Sequence, residues 1–408
     1  MIPAVLAAAV AGCTPATPPL VTGAGPGTVH LDGRRFVNLA SCDYLGLARH
    51  PRVLAAARQA LTQWGLGSAA TRVLSGGTEL HRRLEHRLGR FVGCEDAVLH
   101  GSCWNANAAV FGTLAELARR SDTTLAVFSD RLNHASIIDA IRTVRPEVSH
   151  LSTYEHADGI DDLRDQLERH APGAVRVIVT DGVFSMEGDQ APMRRLVDLS
   201  REYEAVLVVD DSHGTGVLGA GGRGTMEAQG VLGAVDVVTS TLGKALGGAS
   251  GGFVAASKQF SAAVRSLSRP YVFSNNPPYA VVAAALAALD VLETEDVLTL
   301  LGERVRQLRA GLAGLGFPIL GDDHPIVPLI LGDDQRAVAA SNELRRQQIY
   351  VTPMTFPIVE RGRARIRLQV SAAHTADDIA QVVGALAAFG ESVSAASGPA
   401  RGKSGRPF

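Results

Sequence analysis

The stretch Ala205-Val206-Leu207-Val208-Val209-Asp210-Asp211-Ser212-His213-Gly214-Thr215-Gly216 decides how the rest of the chain is read. Five consecutive apolar residues with no polar alternation mark a strand buried on both faces. The acid-and-glycine loop that follows leaves the carboxyl end of that strand, which is where open α/β sheets place their ligands. An aspartate at the end of so apolar a run needs a partner, because an unpaired buried carboxylate is costly.

Working outward, similar runs read as strands at Ala97-Val-Leu-His100, Thr124-Leu-Ala-Val-Phe128, Val175-Arg-Val-Ile-Val-Thr180, Val235-Asp-Val-Val-Thr239 and Gly252-Phe-Val-Ala255. Helical patterns lie between them, as at 76–92 and 192–204. The alternation predicts an α/β fold with a mostly parallel sheet covered on both faces. A small hairpin with an Asp32-Gly33 turn precedes it, from Thr28 to Leu39. After Pro277 the pattern predicts one long helix to about Leu315, a strand at 325–331, a helix at 334–347, a strand at 363–371 and a helix at 375–389. The expected organisation is an N-terminal arm and hairpin (1–45), a large domain (46–285), a smaller C-terminal α/β domain (286–390) and a Gly/Ser/Pro/Arg-rich disordered tail (391–408).

Composition narrows the function. The chain has 408 residues, and Lys+Arg 39 against Asp+Glu 41 leaves no basic excess for coating nucleic acid. Four cysteines, Cys13, Cys42, Cys94 and Cys103, are too few for a disulfide scaffold. The apolar start Met1-Ile-Pro-Ala-Val ends in Val10-Ala-Gly-Cys13, the form of a lipidation site, but lacks the basic residues a leader needs, so a short packed helix and a cytoplasmic protein are expected. No membrane span and no metal site are expected.

Three motifs fail on context. Gly219-Ala-Gly221-Gly-Arg-Gly224 matches a dinucleotide fingerprint but lies too far from the strand that should precede it. Gly248-Ala-Ser250-Gly-Gly252 matches a nucleophile elbow without the strand before it, which leaves a serine hydrolase as a weak rival. Cys94, His100 and Cys103 cluster without metal-ligand spacing and read as packing residues.

The informative group is Asp210, His213 and Lys244. Only three lysines exist, Lys244, Lys258 and Lys403, and the remaining basic residues are arginine. Lys244 stands in Ser240-Thr-Leu-Gly-Lys-Ala-Leu-Gly-Gly248, among small apolar residues and just past a strand end. Desolvation there favours the neutral, nucleophilic amine that Schiff-base chemistry uses. Pyridoxal phosphate requires such a lysine, an acid at its ring nitrogen, and amides or hydroxyls for its phosphate. An ordinary buried polar cluster is the competing reading.

Beyond these residues the sequence resembles the α-oxoamine synthases, fold-type I pyridoxal-phosphate enzymes that join an amino acid to an acyl-CoA with loss of CO2. The resemblance runs from about Phe36 to Phe389. It is carried by Asp43-Tyr-Leu-Gly-Leu47, Gly67-Ser-Ala-Ala-Thr-Arg72, Gly76-Gly-Thr-Glu-Leu-His81, Asn133-His-Ala-Ser-Ile-Ile-Asp139, Asp181-Gly-Val-Phe-Ser-Met-Glu-Gly188, Val209-Asp-Asp-Ser-His-Gly-Thr-Gly216 and Thr241-Leu-Gly-Lys244. Ser268-Arg-Pro-Tyr-Val-Phe-Ser-Asn275, Gly321-Asp-Asp-His-Pro325 and Ala364-Arg-Ile-Arg-Leu-Gln369 look most like the glycine C-acetyltransferase branch, with the 8-amino-7-oxononanoate synthases next.

The resemblance implies a seven-stranded, mostly parallel sheet, a homodimer with active sites at its interface, and roles residue by residue. Lys244 would carry the cofactor and move protons at the substrate α-carbon. Asp210 would hold the ring nitrogen protonated, His134 would stack on the ring, and Ser185 and His213 would hydrogen-bond its phenolic oxygen. Ser102, Cys103, Trp104 and Thr241 would hold the phosphate, with Ser274 reaching the neighbouring subunit's phosphate. Arg367 would take the substrate carboxylate, with Cys42 and Thr71 as further substrate-side positions. The chain departs from the family pattern in having Cys42 where an asparagine is usual, Trp104 where Phe or Tyr is usual, and a shorter N-terminal arm.

Overall fold

The computed structural model describes residue 6, residues 18–169 and residues 173–396. The expected N-terminal helix, Cys13 and most of the expected tail lie outside the described residues. The chain opens with three antiparallel strands, β1 (Val21–Gly25), β2 (Thr28–Leu31) and β3 (Arg34–Asn38). Asp32 and Gly33 both take positive φ, as the tight turn between β2 and β3 requires.

The centre is a seven-stranded sheet of β4 (Asp96–His100), β5 (Thr124–Asp130), β6 (Val148–Tyr154), β7 (Ala174–Asp181), β8 (Val206–Asp210), β9 (Val237–Thr241) and β10 (Gly252–Ala256). The spatial order is β4-β10-β9-β8-β7-β5-β6, and only β10 runs antiparallel to its neighbours. The continuous apolar runs are explained by two cores. Leu207 and Val209 of β8 and Ile178 of β7 enter one core, with the 193–202 and 279–312 helices. Val208, Val177 and Val179 enter the other, against the helices Cys103–Arg120 and Ala135–Thr143. A strand buried on both faces has no position left for a polar residue.

A three-stranded antiparallel sheet follows, β11 (Ile326–Gly332), β14 (Ala364–Gln369) and β13 (Pro353–Met354). The short strand β12 (Ile349–Tyr350) pairs parallel with β3, which joins the N-terminal hairpin to the C-terminal region.

Several expectations are corrected. The strands β1, β6, β12 and β13 were not foreseen. The helix expected from Pro277 to Leu315 is two helices, Tyr279–Thr294 and Val297–Leu312, because Glu295 adopts an extended conformation between them. The last helix is Ala376–Ala396, so residues 391–396 belong to it and not to a tail. Among the described residues no helix is long and apolar enough to cross a membrane.

Candidate active site

The strand ends bring the charged residues together. Asp181 and Asp210 stand opposite one another at the carboxyl ends of β7 and β8. Asp210 is buried, and its Oδ2 accepts from Asn107 Nδ2 at 2.7 Å and from the Cys103 thiol at 3.5 Å. Its Oδ1 accepts from the Ser212 backbone N–H at 3.0 Å. All of these donors are uncharged, so the carboxylate keeps its capacity for a cationic partner. Asn107 is itself fixed, since it donates to Ser136 Oγ and accepts from Thr239 Oγ1.

Lys244, on the loop after β9, lies 2.9 Å by its Nζ from His213 Nε2. The other nitrogen of that ring, Nδ1, lies 2.8 Å from the Tyr44 hydroxyl. Burial holds the His213 imidazole well below the usual range, and Lys244 adds to the effect, so the ring is neutral. Burial, with the neighbouring Cys42, raises Tyr44 well above its ordinary range and keeps the phenol protonated. The Lys244 charge is felt by Cys103, His134, Asp181, His213 and His324.

The helix Cys103–Arg120 begins beside this amine. Ser102 is its N-cap, with Oγ accepting from Asn105 N at 3.1 Å. Its first amides, of Cys103 and Trp104, therefore form an anion-binding end. A Cβ at Gly252 would fall 2.4 Å from the Cys103 nitrogen, so glycine is needed there for β10 to approach the helix end. Thr241 Oγ1 accepts from Gly243 N at 3.0 Å, which shapes the loop carrying Lys244. His134 caps the next helix and is exposed, with Nδ1 within 2.8 Å of Ser136 Oγ and the Trp104 ring edge-on at 6.2 Å. Its backbone N–H donates to Asp181 Oδ2 at 2.8 Å. Burial and the Asp210 charge raise Asp181 well above the usual carboxylate range.

Arg367 projects from β14 and donates through Nη1 to Ser185 O at 2.9 Å, while its Nε is buried without a partner. That orphaned donor suits a carboxylate. The Cys42 thiol donates to Gln369 Oε1 at 2.8 Å, so it is held by the protein's own amide. Among the described residues no hydrogen bond ties the Thr71 or Ser274 side chain to this group. Thr71 precedes a short helix (Arg72–Ser75) with its hydroxyl buried and unpartnered. Ser274 follows the helix Arg269–Phe273 and makes no hydrogen bond among the described residues.

Asn107, Tyr44 and Gln369 were missed by sequence reasoning. Tyr44 stood inside a quoted motif without a role. Asn107 lies one turn into a helix that starts at a quoted position, and that spacing is the signal that could have found it. The rejected motifs stay outside the site. The amides of Gly221 and Arg223 are both taken by Glu227 Oε2 at 3.0 Å, leaving the Gly219–Gly224 loop no free anion cradle. Ser250 is exposed and bonds to no histidine or carboxylate among the described residues. Cys94 and His100 pack elsewhere, but Cys103 belongs to the site.

The residues fit pyridoxal phosphate on three grounds: a buried acid with only neutral partners, a lysine amine on the loop after the adjacent strand, and a capped helix end for the phosphate. The family model for aminotransferase class I and II matches residues 34–386. The 2-amino-3-ketobutyrate coenzyme A ligase of Escherichia coli K12 is 42% identical over 364 residues, covering 88% of this chain and 89% of the relative. The 8-amino-7-oxononanoate synthase of Geobacter metallireducens is 41% identical over 364 residues, covering 88% and 90%. A structure of serine palmitoyltransferase from S. paucimobilis with bound PLP-myriocin aldimine superposes with a TM-score of 0.85 at 30% identity, covering 92% of this chain and 93% of that one.

Proposed function

The chain belongs to the class I and II aminotransferases and, within them, to the α-oxoamine synthases, and we propose that it is a C-acyltransferase joining a small amino acid, glycine, to a short acyl-CoA with release of CoA. The observation that carries this reading is the Lys244 amine on the loop after β9, 2.9 Å from His213, with the buried Asp210 at the carboxyl end of the neighbouring strand β8. Identity of 42% to a 2-amino-3-ketobutyrate coenzyme A ligase supports the acetyltransferase branch. A relative named 8-amino-7-oxononanoate synthase at 41% supports, as the second reading, a longer acyl thioester or another amino acid.

Pyridoxal phosphate, the cofactor, supplies an electron sink for charge developing at the amino-acid α-carbon. Asp210 keeps the ring nitrogen positive, and Asn107 and Ser212 N–H hold that carboxylate in place. The amides of Cys103 and Trp104, with Ser102 and Thr241, hold the phosphate. His134 offers its exposed ring for stacking, and Ser185 and His213 bind the ring oxygen. Arg367 takes the substrate carboxylate through its free Nε, which fixes which α-carbon bond faces Lys244. Lys244 Nζ removes the α-proton and returns one after CO2 leaves.

We further propose a homodimer whose partner completes the site through Ser274 and Thr71. Supporting it, Leu66 (78%), Leu74 (81%) and Phe273 (69%) are exposed on the two segments that carry these residues. A cytoplasmic location is proposed from the unpaired thiols of Cys42, Cys94 and Cys103.

The test is borohydride reduction followed by peptide mapping. The reduced cofactor adduct is expected on Lys244, and an adduct on Lys258 would overturn the assignment. A thiol-release assay across amino acids and acyl-CoAs then separates the two readings, with glycine and acetyl-CoA expected to turn over fastest.

A further inference from the structure

Two buried acids close neighbouring strands, Asp181 on β7 and Asp210 on β8, and they stand in register. Asp210 is held ready for the cofactor ring. Asp181 bonds instead to the turn that carries His134, where its Oδ2 accepts the His134 backbone N–H at 2.8 Å. The bond is returned one residue earlier, because Asn133 Oδ1 accepts the Asp181 backbone N–H at 2.7 Å. Asn133 is also buried, and its Nδ2 donates to Val179 O at 3.0 Å and to Ser129 Oγ at 2.9 Å. Ser129 Oγ accepts there, since its own proton goes to Asp130 O at 3.2 Å. These partners leave the Asn133 amide a single orientation.

The reciprocal pair pins residues 133 and 134 to the end of β7, just where the helix Ala135–Thr143 starts. A second tie acts on the ring itself. His134 Nδ1 accepts from Ser136 N at 3.2 Å and lies 2.8 Å from Ser136 Oγ. Ser136 Oγ accepts from Asn107 Nδ2 at 2.8 Å, and the same Asn107 nitrogen donates to Asp210 Oδ2. The ring tie restricts how the imidazole turns. The backbone brace restricts where its Cα stands against the sheet edge that carries Asp210.

We propose that Asp181 and Asn133 are positioning residues for His134, a reciprocal brace that sets where its ring stands against the cofactor. The proposal rests on the reading that His134 stacks on pyridoxal phosphate. The brace asks Asp181 for an acceptor oxygen and not for a charge, and a neutral carboxyl or an amide also offers one. Burial and the Asp210 charge push the Asp181 carboxyl up, against the pull of the His134 amide, so that it ends well above the usual carboxylate range. Two ionised carboxylates side by side would disfavour one another. Of the two acids in register, Asp210 therefore supplies the charge and Asp181 the fixed acceptor.

The experiment uses the full-length holoenzyme and two readouts. One is the dissociation constant for pyridoxal phosphate. The other is the circular dichroism induced in the cofactor's absorption band, which follows the placement of its ring among the side chains around it. His134→Ala sets the scale for losing the stacked imidazole. Asp181→Ala and Asn133→Ala should each weaken cofactor binding about fivefold, the change that one lost hydrogen bond of ordinary strength gives, and should shift the dichroism in the direction of His134→Ala. Asp181→Asn keeps the acceptor oxygen, so its dissociation constant should stay within about twofold of wild type with the dichroism retained. A loss in Asp181→Asn equal to that in Asp181→Ala would overturn the proposal, because the charge and not the acceptor would then matter. Wild-type values in both alanine variants of the brace, with His134→Ala changed, would overturn the brace alone. Wild-type values in His134→Ala itself would remove the stacking reading and the brace with it. Asn133→Ala leaves the Asp181 side chain whole, so it decides the matter even where Asp181→Ala does not fold.

Discussion

Two histidines at the same edge of the central sheet are held in opposite charge states. His156 and His213 are both buried, and both have each ring nitrogen in a hydrogen bond. His156 lies between Asp130 Oδ2 and Asp189 Oδ2, each at 3.1 Å, and stacks on Phe184 with ring centroids 3.7 Å apart. Burial works against its charge, but the two carboxylates outweigh burial and hold it up at about 9. His213 meets only a phenol and an amine, so burial wins and the ring stays neutral. The partners, not the depth of burial, decide the charge. The charged ring braces the loop that carries Ser185, and the neutral ring is left to serve Lys244.

The same contrast sets the largest expected effect. Asp210 is a buried acid with only neutral donors, unlike Asp130, which already has its cation. Asp210→Asn should leave the fold and cofactor capture intact but lower turnover by about a thousandfold or more, since a positioned charge in a dry site is worth several kcal/mol. Steady-state thiol release measures it. A variant within tenfold of wild type would mean that the carboxylate serves another purpose.

The smaller effect expected from His156 is on stability. Its folded-state value is raised, so its contribution is fully present below pH 6.5 and is lost as pH climbs through about 9. The size is on the order of 3 kcal/mol, from roughly 1.4 kcal/mol for each pH unit of difference. Urea unfolding from pH 6 to pH 9.5 should show this decline, and His156→Gln should flatten it. An equally steep decline in the variant would place the titration elsewhere.

These two sites also show what could be read from the sequence. Asp210, His213 and Lys244 were legible because each lies just past an apolar strand, where periodicity stops and chemistry-bearing residues stand out. The parallel sheet was legible for the same reason. Strand β6 was not, because Val148-Ser-His-Leu-Ser-Thr-Tyr154 is an edge strand whose half-exposed, polar-rich pattern lacks a continuous apolar run. Asn107, Tyr44 and Gln369 were illegible for another reason. Asn107 meets Asp210 across 103 residues of chain and Tyr44 meets Gln369 across 325, and no local pattern encodes a partner so distant. His156 likewise gains its charge from Asp130 and Asp189, which only the fold brings to either side of it.

Cys42 sharpens the comparison at its far end, where the neutral chain behind His213 terminates. The family pattern suggested that a thiol here leaves the substrate carboxylate short of one donor. The structure ties that thiol to Gln369 Oε1 at 2.8 Å, so its first partner is the protein. An asparagine in its place keeps one N–H for Gln369 and has a second to offer towards the carboxylate held by Arg367. A thiol is a poor donor by comparison. Cys42→Asn should therefore lower the KM for glycine by about threefold to tenfold, at most roughly 1.4 kcal/mol, and leave kcat nearly unchanged. Alanine and serine should gain less, because the larger amide occupies space near their side chains. Kinetics with the three amino acids decide it. Equal KM values for wild type and variant with all three would show that position 42 braces Gln369 and does not face the substrate.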